Sequence, residues 1–189
     1  MTVVGSEPTS PHGVRLTVRD FMLLSDSGAF DCYSKSELID GEILCVNAQF
    51  ARHSGVKSEV AFELERALRR IGSPLRVYVE VAVEVDEHTL LEPDIVVSTY
   101  RGAGAVPATE AVLVVEVADT TLHYDLNRKT PRYAAAGIGE CWVVDLTGQK
   151  LCQFWHPVGG RYTEQRTLHL GERIDAATIA GVSVETRAV

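Results

Sequence analysis

Two carboxylates stand where a carboxylate is costly. Asp94 follows Pro93 at the head of the apolar run Ile95-Val96-Val97, and Glu116 interrupts the apolar stretch Ala111 to Ala118. An ionised carboxylate taken out of water must be protonated, hydrogen-bonded, paired with a base or bound to a cation. If the two segments are neighbouring strands, their oxygens converge on one divalent ion of the hard, oxygen-preferring kind, which fits magnesium or manganese. Plainer readings stand beside this one. Asp94 alone reads as a strand-end acid capping a loop. Glu116 alone reads as half of an ion pair, although no base is near it in sequence. Lys129 alone reads as a surface lysine.

The elements that must position these acids follow from periodicity. Thr17 caps a short helix over Val18 to Leu24, which Ser25-Asp26-Ser27-Gly28 ends. Asp40-Gly41 lies between two apolar runs within Ser36 to Val46 and predicts a hairpin, because that dipeptide readily adopts positive φ. Val56, Val60, Leu64, Ala67, Leu68 and Ile71 follow helical spacing, giving an amphipathic helix from His53 to Ile71, stopped by Gly72-Ser73-Pro74. Val77 to Asp86 alternates strictly and predicts one strand, followed across Glu87-His88 by a second over Leu90 to Ser98. Pro93 lacks an amide proton, so it marks an edge, a bulge or a break in the ladder beside Asp94. Ala111 to Ala118 predicts a central strand. A helical segment then ends near Gly137, Glu140 to Asp145 pairs with Leu151 to Trp155, and Arg161 to Leu168 makes an edge strand.

Composition sets the outer limits. The chain has 189 residues, 46% of them apolar, with 18 Lys and Arg against 26 Asp and Glu, a net charge of −8. Residues 1–16 read as a disordered arm and residues 17–189 as a single domain. The apolar runs are too short for a membrane helix, and no basic segment followed by an apolar one opens the chain, so a cytoplasmic protein without membrane attachment is expected. Cys32, Cys45, Cys141 and Cys152 form no Cys-x-x-Cys pair and read as free thiols. The acidic balance excludes a protein that coats nucleic acid through bulk charge. No Gly-x-Ser-x-Gly elbow, phosphate-binding Walker loop or His-Glu-x-x-His motif is present, and Gly102-Ala103-Gly104 lacks the setting of a dinucleotide site.

The order of helix, two strands with Pro93-Asp94, a strand with Glu116, a helix with Lys129 and a further strand resembles the αβββαβ core of the PD-(D/E)XK nuclease superfamily. More closely, the chain resembles the Uma-type restriction endonuclease family over roughly residues 17 to 168. The matching segments are Ser36 to Glu42, His53, Glu92-Pro93-Asp94-Ile95-Val96-Val97, Val114-Val115-Glu116-Val117, Asp125, Lys129, Tyr133, Ala136-Gly137-Ile138 and Glu140 to Asp145. The resemblance implies an α/β (α+β) restriction-endonuclease-like fold: a central mixed sheet flanked by helices, with an N-terminal β-hairpin extension. It implies Asp94, Glu116 and Lys129 as catalytic residues, with Asp94 and Glu116 as ligands of Mg²⁺ or Mn²⁺ and the Val117 carbonyl as a third candidate. In the commonest superfamily pattern a lysine lies two residues after the Glu. That place is Ala118 here, and the role passes to Lys129, which would orient or help deprotonate an attacking water. Phosphodiester hydrolysis in nucleic acid follows, with DNA the first expectation as substrate.

Around this centre several roles stay open. Asp119 either joins the metal surroundings or caps a turn, and Asp125 is either an N-cap or a member of the site. His53 is a helix-start residue that borders the active site in such a fold. Glu37 and Glu42 read as exposed hairpin positions, with completion of the metal shell by one of them as the lesser alternative. Thr130-Pro131 either starts a helix, leaving Lys129 just before it, or kinks a helix begun at Asp125. Cys141, Trp142 and Trp155 read as core, and Arg66, Arg69, Arg70 and Arg76 as a solvated face, with phosphate contact as the lesser alternative. A homodimer is expected from the fold. The alternatives are a catalytically weak or inactive member acting in binding or assembly, and a hydrolase of a smaller phosphodiester.

Overall fold

The computed structural model describes residues 13–46 and 50–187. The expected arm over 1–16 lies mostly outside these residues. Its described end is tied down, since the Leu16 amide donates to the Gly41 carbonyl at 3.1 Å and Arg15 Nε to the Asp40 carbonyl at 2.9 Å.

Helix α1 (Val18–Asp26) begins with a capping box: Asp20 N–H donates to Thr17 Oγ1, and Thr17 N–H to Asp20 Oδ2. Strands β1 (Lys35–Ile39) and β2 (Glu42–Val46) form the expected hairpin. Asp40 (φ 54°) and Gly41 (φ 82°) supply the two left-handed residues its tight turn needs. Helix α2 (Ala51–Arg70) follows, then β3 (Arg76–Val79), β4 (Val83–Asp86), β5 (Thr89–Leu91), β6 (Ile95–Ser98), β7 (Val106–Pro107) and β8 (Ala111–Ala118). A helical stretch comprises α3 (Leu122–Tyr124), a π-helical turn (Asp125–Lys129) and α4 (Thr130–Ala135). The chain closes with β9 (Glu140–Asp145), β10 (Lys150–Val158), β11 (Arg161–His169), β12 (Arg173–Asp175) and β13 (Ser183–Glu185).

Two sheets carry the fold. The larger has the order β11-β10-β9-β8-β6-β3, antiparallel except for the parallel β8–β9 pair; the smaller has the order β2-β1-β5-β4-β7. Alternation along β8 sends Leu113, Val115 and Val117 to one side, against Val56, Val60 and Leu64 of α2. Val114 and Ala118 go to the other, with Tyr133 of α4 and Ile39, Val83 and Leu91 of the smaller sheet. Each aliphatic side chain buried this fully stabilises the fold by roughly 1.5–3 kcal/mol. Among the described residues no helix is long and apolar enough to cross a membrane.

Two strands expected as single runs are each split. The alternating stretch from Val77 to Asp86 is β3 in the larger sheet and β4 in the smaller. The chain changes sheets at Glu80, which is left-handed (φ 52°) and donates its amide to the Asp94 carbonyl at 3.1 Å. Leu90 to Ser98 is likewise β5 in one sheet and β6 in the other, interrupted where Pro93 has no amide to give. Both crossings lie beside Asp94. The hairpin is therefore part of a second sheet, packed over the larger one.

Candidate active site

Asp94 immediately precedes β6, and the antiparallel register Ile95↔Val115 sets it across from Glu116 of β8. Each is 2% exposed. The sheet thus places side by side two acids that the sequence separates.

Each acid has its own partners. Asp94 Oδ2 accepts from the Val117 amide at 2.7 Å and lies 3.4 Å from His53 Nε2, while Oδ1 lies 3.8 Å from Lys57 Nζ. His53 and Lys57 are one turn apart near the start of α2, and Lys57 also pairs with Glu80. Glu116 is held from the opposite layer: the Tyr133 hydroxyl donates to Oε1, and Lys129 Nζ stands 3.4 Å from Oε2. Lys129 also lies 3.0 Å from Glu37 of β1 and 3.7 Å from Asp125.

The π-helical turn explains how Lys129 reaches inward. The Thr130 amide and hydroxyl both donate to the Asp125 carbonyl, the hydroxyl at 2.8 Å, so the turn carries one residue more than an α-helical turn. Pro131 then falls in the first turn of α4, where its missing N–H costs no hydrogen bond. The helical stretch starts before Asp125, and the wide turn absorbs the proline without a break. Lys129 is 4% exposed and Asp125 3%.

Burial and charge act against each other throughout the cluster. Burial alone would raise the Asp94 carboxyl, but the His53 hydrogen bond, the Lys35 and His53 charges and the Val117 amide outweigh it and bring it to about 2. Glu116 is pushed up to about 8, with burial the main cause, Lys129 opposing it and Asp125 adding to it. Burial works against the charge on Lys129, yet Glu116, Glu37 and Asp125 together hold it above the ordinary lysine range, as an ammonium ion. Asp125 is raised by burial, which Lys129 only partly offsets.

The expected centre therefore lies in two contact groups on neighbouring strands: Asp94 with His53 and Lys57, and Glu116 with Lys129, which also faces Asp125. Glu37 departs from expectation: it is 2% exposed, contacts Lys129 and accepts the Glu92 amide at 2.8 Å. The hairpin turns this face inward because Lys129 is there to receive it. Glu42 is exposed as expected and pairs with Arg128 at 3.2 Å. Asp119 is half-buried and faces Arg52 at 3.9 Å, apart from the cluster. Cys141 and Trp142 are core, but Trp155 is only half-buried, beneath Arg166. Sequence reasoning missed Lys57, although it lies four residues after His53 on one helix face, and missed the contacts that Glu80 and Tyr133 make.

The donor set fits a hard divalent ion. Magnesium is commonly held by one or two carboxylates and keeps several waters, which is what Asp94 and Glu116 can offer. Among the described residues no group of three or more His, Cys, Asp and Glu is arranged to enclose a metal. An ion here would have Asp94 and Glu116 as its carboxylate ligands.

A mixed sheet with two acids on adjacent strands and a lysine from the following helix defines a restriction-endonuclease-like fold. The family model described as "Uma2: Putative restriction endonuclease" matches residues 30–187, and the chain belongs to that family. A solved structure described as "a putative nuclease belonging to DUF820 from Anabaena variabilis ATCC 29413" superposes with a TM-score of 0.66 at 16% identity, covering 85% of this chain and 89% of that one. No curated protein matches the sequence.

Proposed function

We propose that this protein is a metal-dependent nuclease that hydrolyses phosphodiester bonds of nucleic acid, DNA first among its substrates, at the cluster of Asp94, Glu116 and Lys129. The observation that carries the reading is the pairing of two buried carboxylates on neighbouring strands with a buried ammonium group 3.4 Å from one of them. Family membership supports the same chemistry.

In this reading Asp94 and Glu116 hold Mg²⁺ or Mn²⁺. Such an ion supplies Lewis acidity, polarising a phosphoryl oxygen and lowering the pKa of water. Asp94 is fixed for the task by His53, Lys57 and the Val117 amide, so its oxygens need little reorganisation. Lys129 is already protonated, so we assign it the orienting role and not the deprotonating one. It holds water or a phosphate oxygen by donated hydrogen bonds and offsets charge that develops there. Tyr133 keeps one Glu116 oxygen in place.

The test is incubation of the purified chain with plasmid, single-stranded DNA and RNA in Mg²⁺, Mn²⁺ or EDTA. Metal-dependent cleavage is expected, and Asp94→Ala or Glu116→Ala should lower it by about 100-fold or more. Cleavage that continues undiminished in either variant would overturn the assignment. The net charge of −8 favours one competing reading, a catalytically weak member that binds or assembles, which predicts no cleavage with any metal. Cutting both strands of a duplex calls for two such centres. We therefore also propose a homodimer, which solution mass measurement tests.

A further inference from the structure

Beside the acidic cluster lies a cavity of about 330 Å³ between α1 and the β1–β5 edge of the smaller sheet. Its lining is part aromatic and part charged: Phe30, itself stacked on Phe21 at 5.3 Å, the partly exposed Tyr33, and Asp31, Lys35 and Glu92. Three features tie it to the reacting centre. Glu92 is two residues before Asp94, and its amide is held by Glu37. Lys35 lines the cavity while its ammonium stands 3.8 Å from Glu37 Oε1, the oxygen that is 3.0 Å from Lys129. Finally, among the described residues the Glu92 carboxylate makes no hydrogen bond or ion pair, although Glu92 is only partly exposed.

We infer that this cavity is a subsite for an unpaired nucleobase carrying an exocyclic amino group, next to the phosphodiester that is cut. The inference rests on the nuclease reading and names the form of its substrate. A base stacks on aromatic side chains through either π face, and Tyr33 with Phe30 offers such a surface. A carboxylate accepts from an amino group, as acidic side chains do from cytosine N4, and Glu92 is placed in the wall with its acceptors unused. Lys35 adds a donor for a base carbonyl. A pocket walled by side chains admits a base only once it has left the helical stack, so the nucleotide bound here is single-stranded or flipped out. The chain's acidity agrees with this, since stacking and hydrogen bonding to one base require no broad basic surface.

The experiment measures nucleoside binding to the full chain in EDTA, where no cleavage occurs, by ligand-observed NMR with deoxycytidine, thymidine and deoxyribose. Deoxycytidine is expected to bind more tightly than thymidine, and deoxyribose not to bind. Tyr33→Ala should weaken deoxycytidine about tenfold, and Tyr33→Phe should retain it, because the ring and not the hydroxyl does the stacking. Ser25→Trp, which fills the cavity from α1, should abolish binding. Glu92→Gln, which can both donate and accept, should bring the two nucleosides level.

In cleavage assays an unpaired oligonucleotide should be cut in preference to its duplex, and Ser25→Trp should raise KM. Equal binding of deoxycytidine and deoxyribose, or unchanged binding in a folded Ser25→Trp variant, would overturn the inference. Cleavage without nucleoside binding removes the cavity assignment alone. Nucleoside binding that Ser25→Trp abolishes, without cleavage under any metal, removes the nuclease and leaves the base site standing.

Discussion

A buried ammonium ion faces Glu37, Glu116 and Asp125 and opposes the burial that pushes Glu116 and Asp125 toward their protonated forms. Removing one partner of a buried ion pair leaves the other uncompensated, which costs roughly 3–5 kcal/mol, far more than the pair itself need contribute. Lys129→Met keeps most of the side-chain volume and deletes the charge. It is expected to lower unfolding stability by about 3–5 kcal/mol in EDTA. A divalent ion would neutralise the same carboxylates, so Mn²⁺ should stabilise the variant more than the wild type, the increment growing with the ratio of free ion to its dissociation constant. Urea unfolding of both proteins with and without Mn²⁺ checks this. Equal stability of the two in EDTA would mean that the acids are neutralised by some other route. The same acids are also held by Tyr133 and Thr121, which donate to Glu116 and Asp125.

At the scale of elements, the hairpin has to deliver Glu37 to Lys129, and Gly41 is where that delivery is set. A Cβ added there would lie 2.8 Å from Arg15 Cβ and 2.9 Å from the Leu16 nitrogen, and φ is already 82°. Gly41→Ala should therefore cost about 1–3 kcal/mol, read as a fall in the urea midpoint at constant slope. Cleavage should also fall, because β1 shifts with its turn. This turn was legible in advance: Asp-Gly between apolar runs has one common solution. Glu116 was legible too, because a carboxylate in an apolar strand needs a reason, whereas Asp94 alone read as a strand-end acid and was raised only by the family resemblance. What the sequence could not display was the change of sheet at Glu80, since a left-handed glutamate has no compositional mark and the valine alternation runs through it unbroken. Glu37 was hidden for a related reason. A polar residue in a hairpin looks solvated until its partner is known, and that partner arrives from the π-helical turn before α4, far along the chain.

Over the whole molecule the problem is how a chain of net charge −8 handles a polyanion. Many of its exposed arginines are already engaged: Arg66 with Glu63, Arg69 with Glu65, Arg128 with Glu42, Arg173 with Asp175 and Arg187 with Glu59. Other exposed arginines, among them Arg19, Arg70, Arg76, Arg101 and Arg161, make no ion pair among the described residues and remain to displace counterions from a phosphate backbone, and the logarithmic slope of affinity against salt counts those contacts. A protein making six to ten phosphate contacts loses roughly 10³–10⁵ in affinity between about 50 and 200 mM salt. If the proposed metal site and base subsite are right, this one should lose less than about tenfold, because its hold on substrate would come from a divalent ion, one ammonium group and a stacked base. Divalent metal concentration, and not monovalent salt, should then govern KM. The measurement is KM for a labelled single-stranded oligonucleotide across KCl at fixed Mn²⁺, and across Mn²⁺ at fixed KCl. A steep KCl dependence would mean that an extended basic surface, contributed by a second chain or by residues outside the described segments, forms the true substrate track.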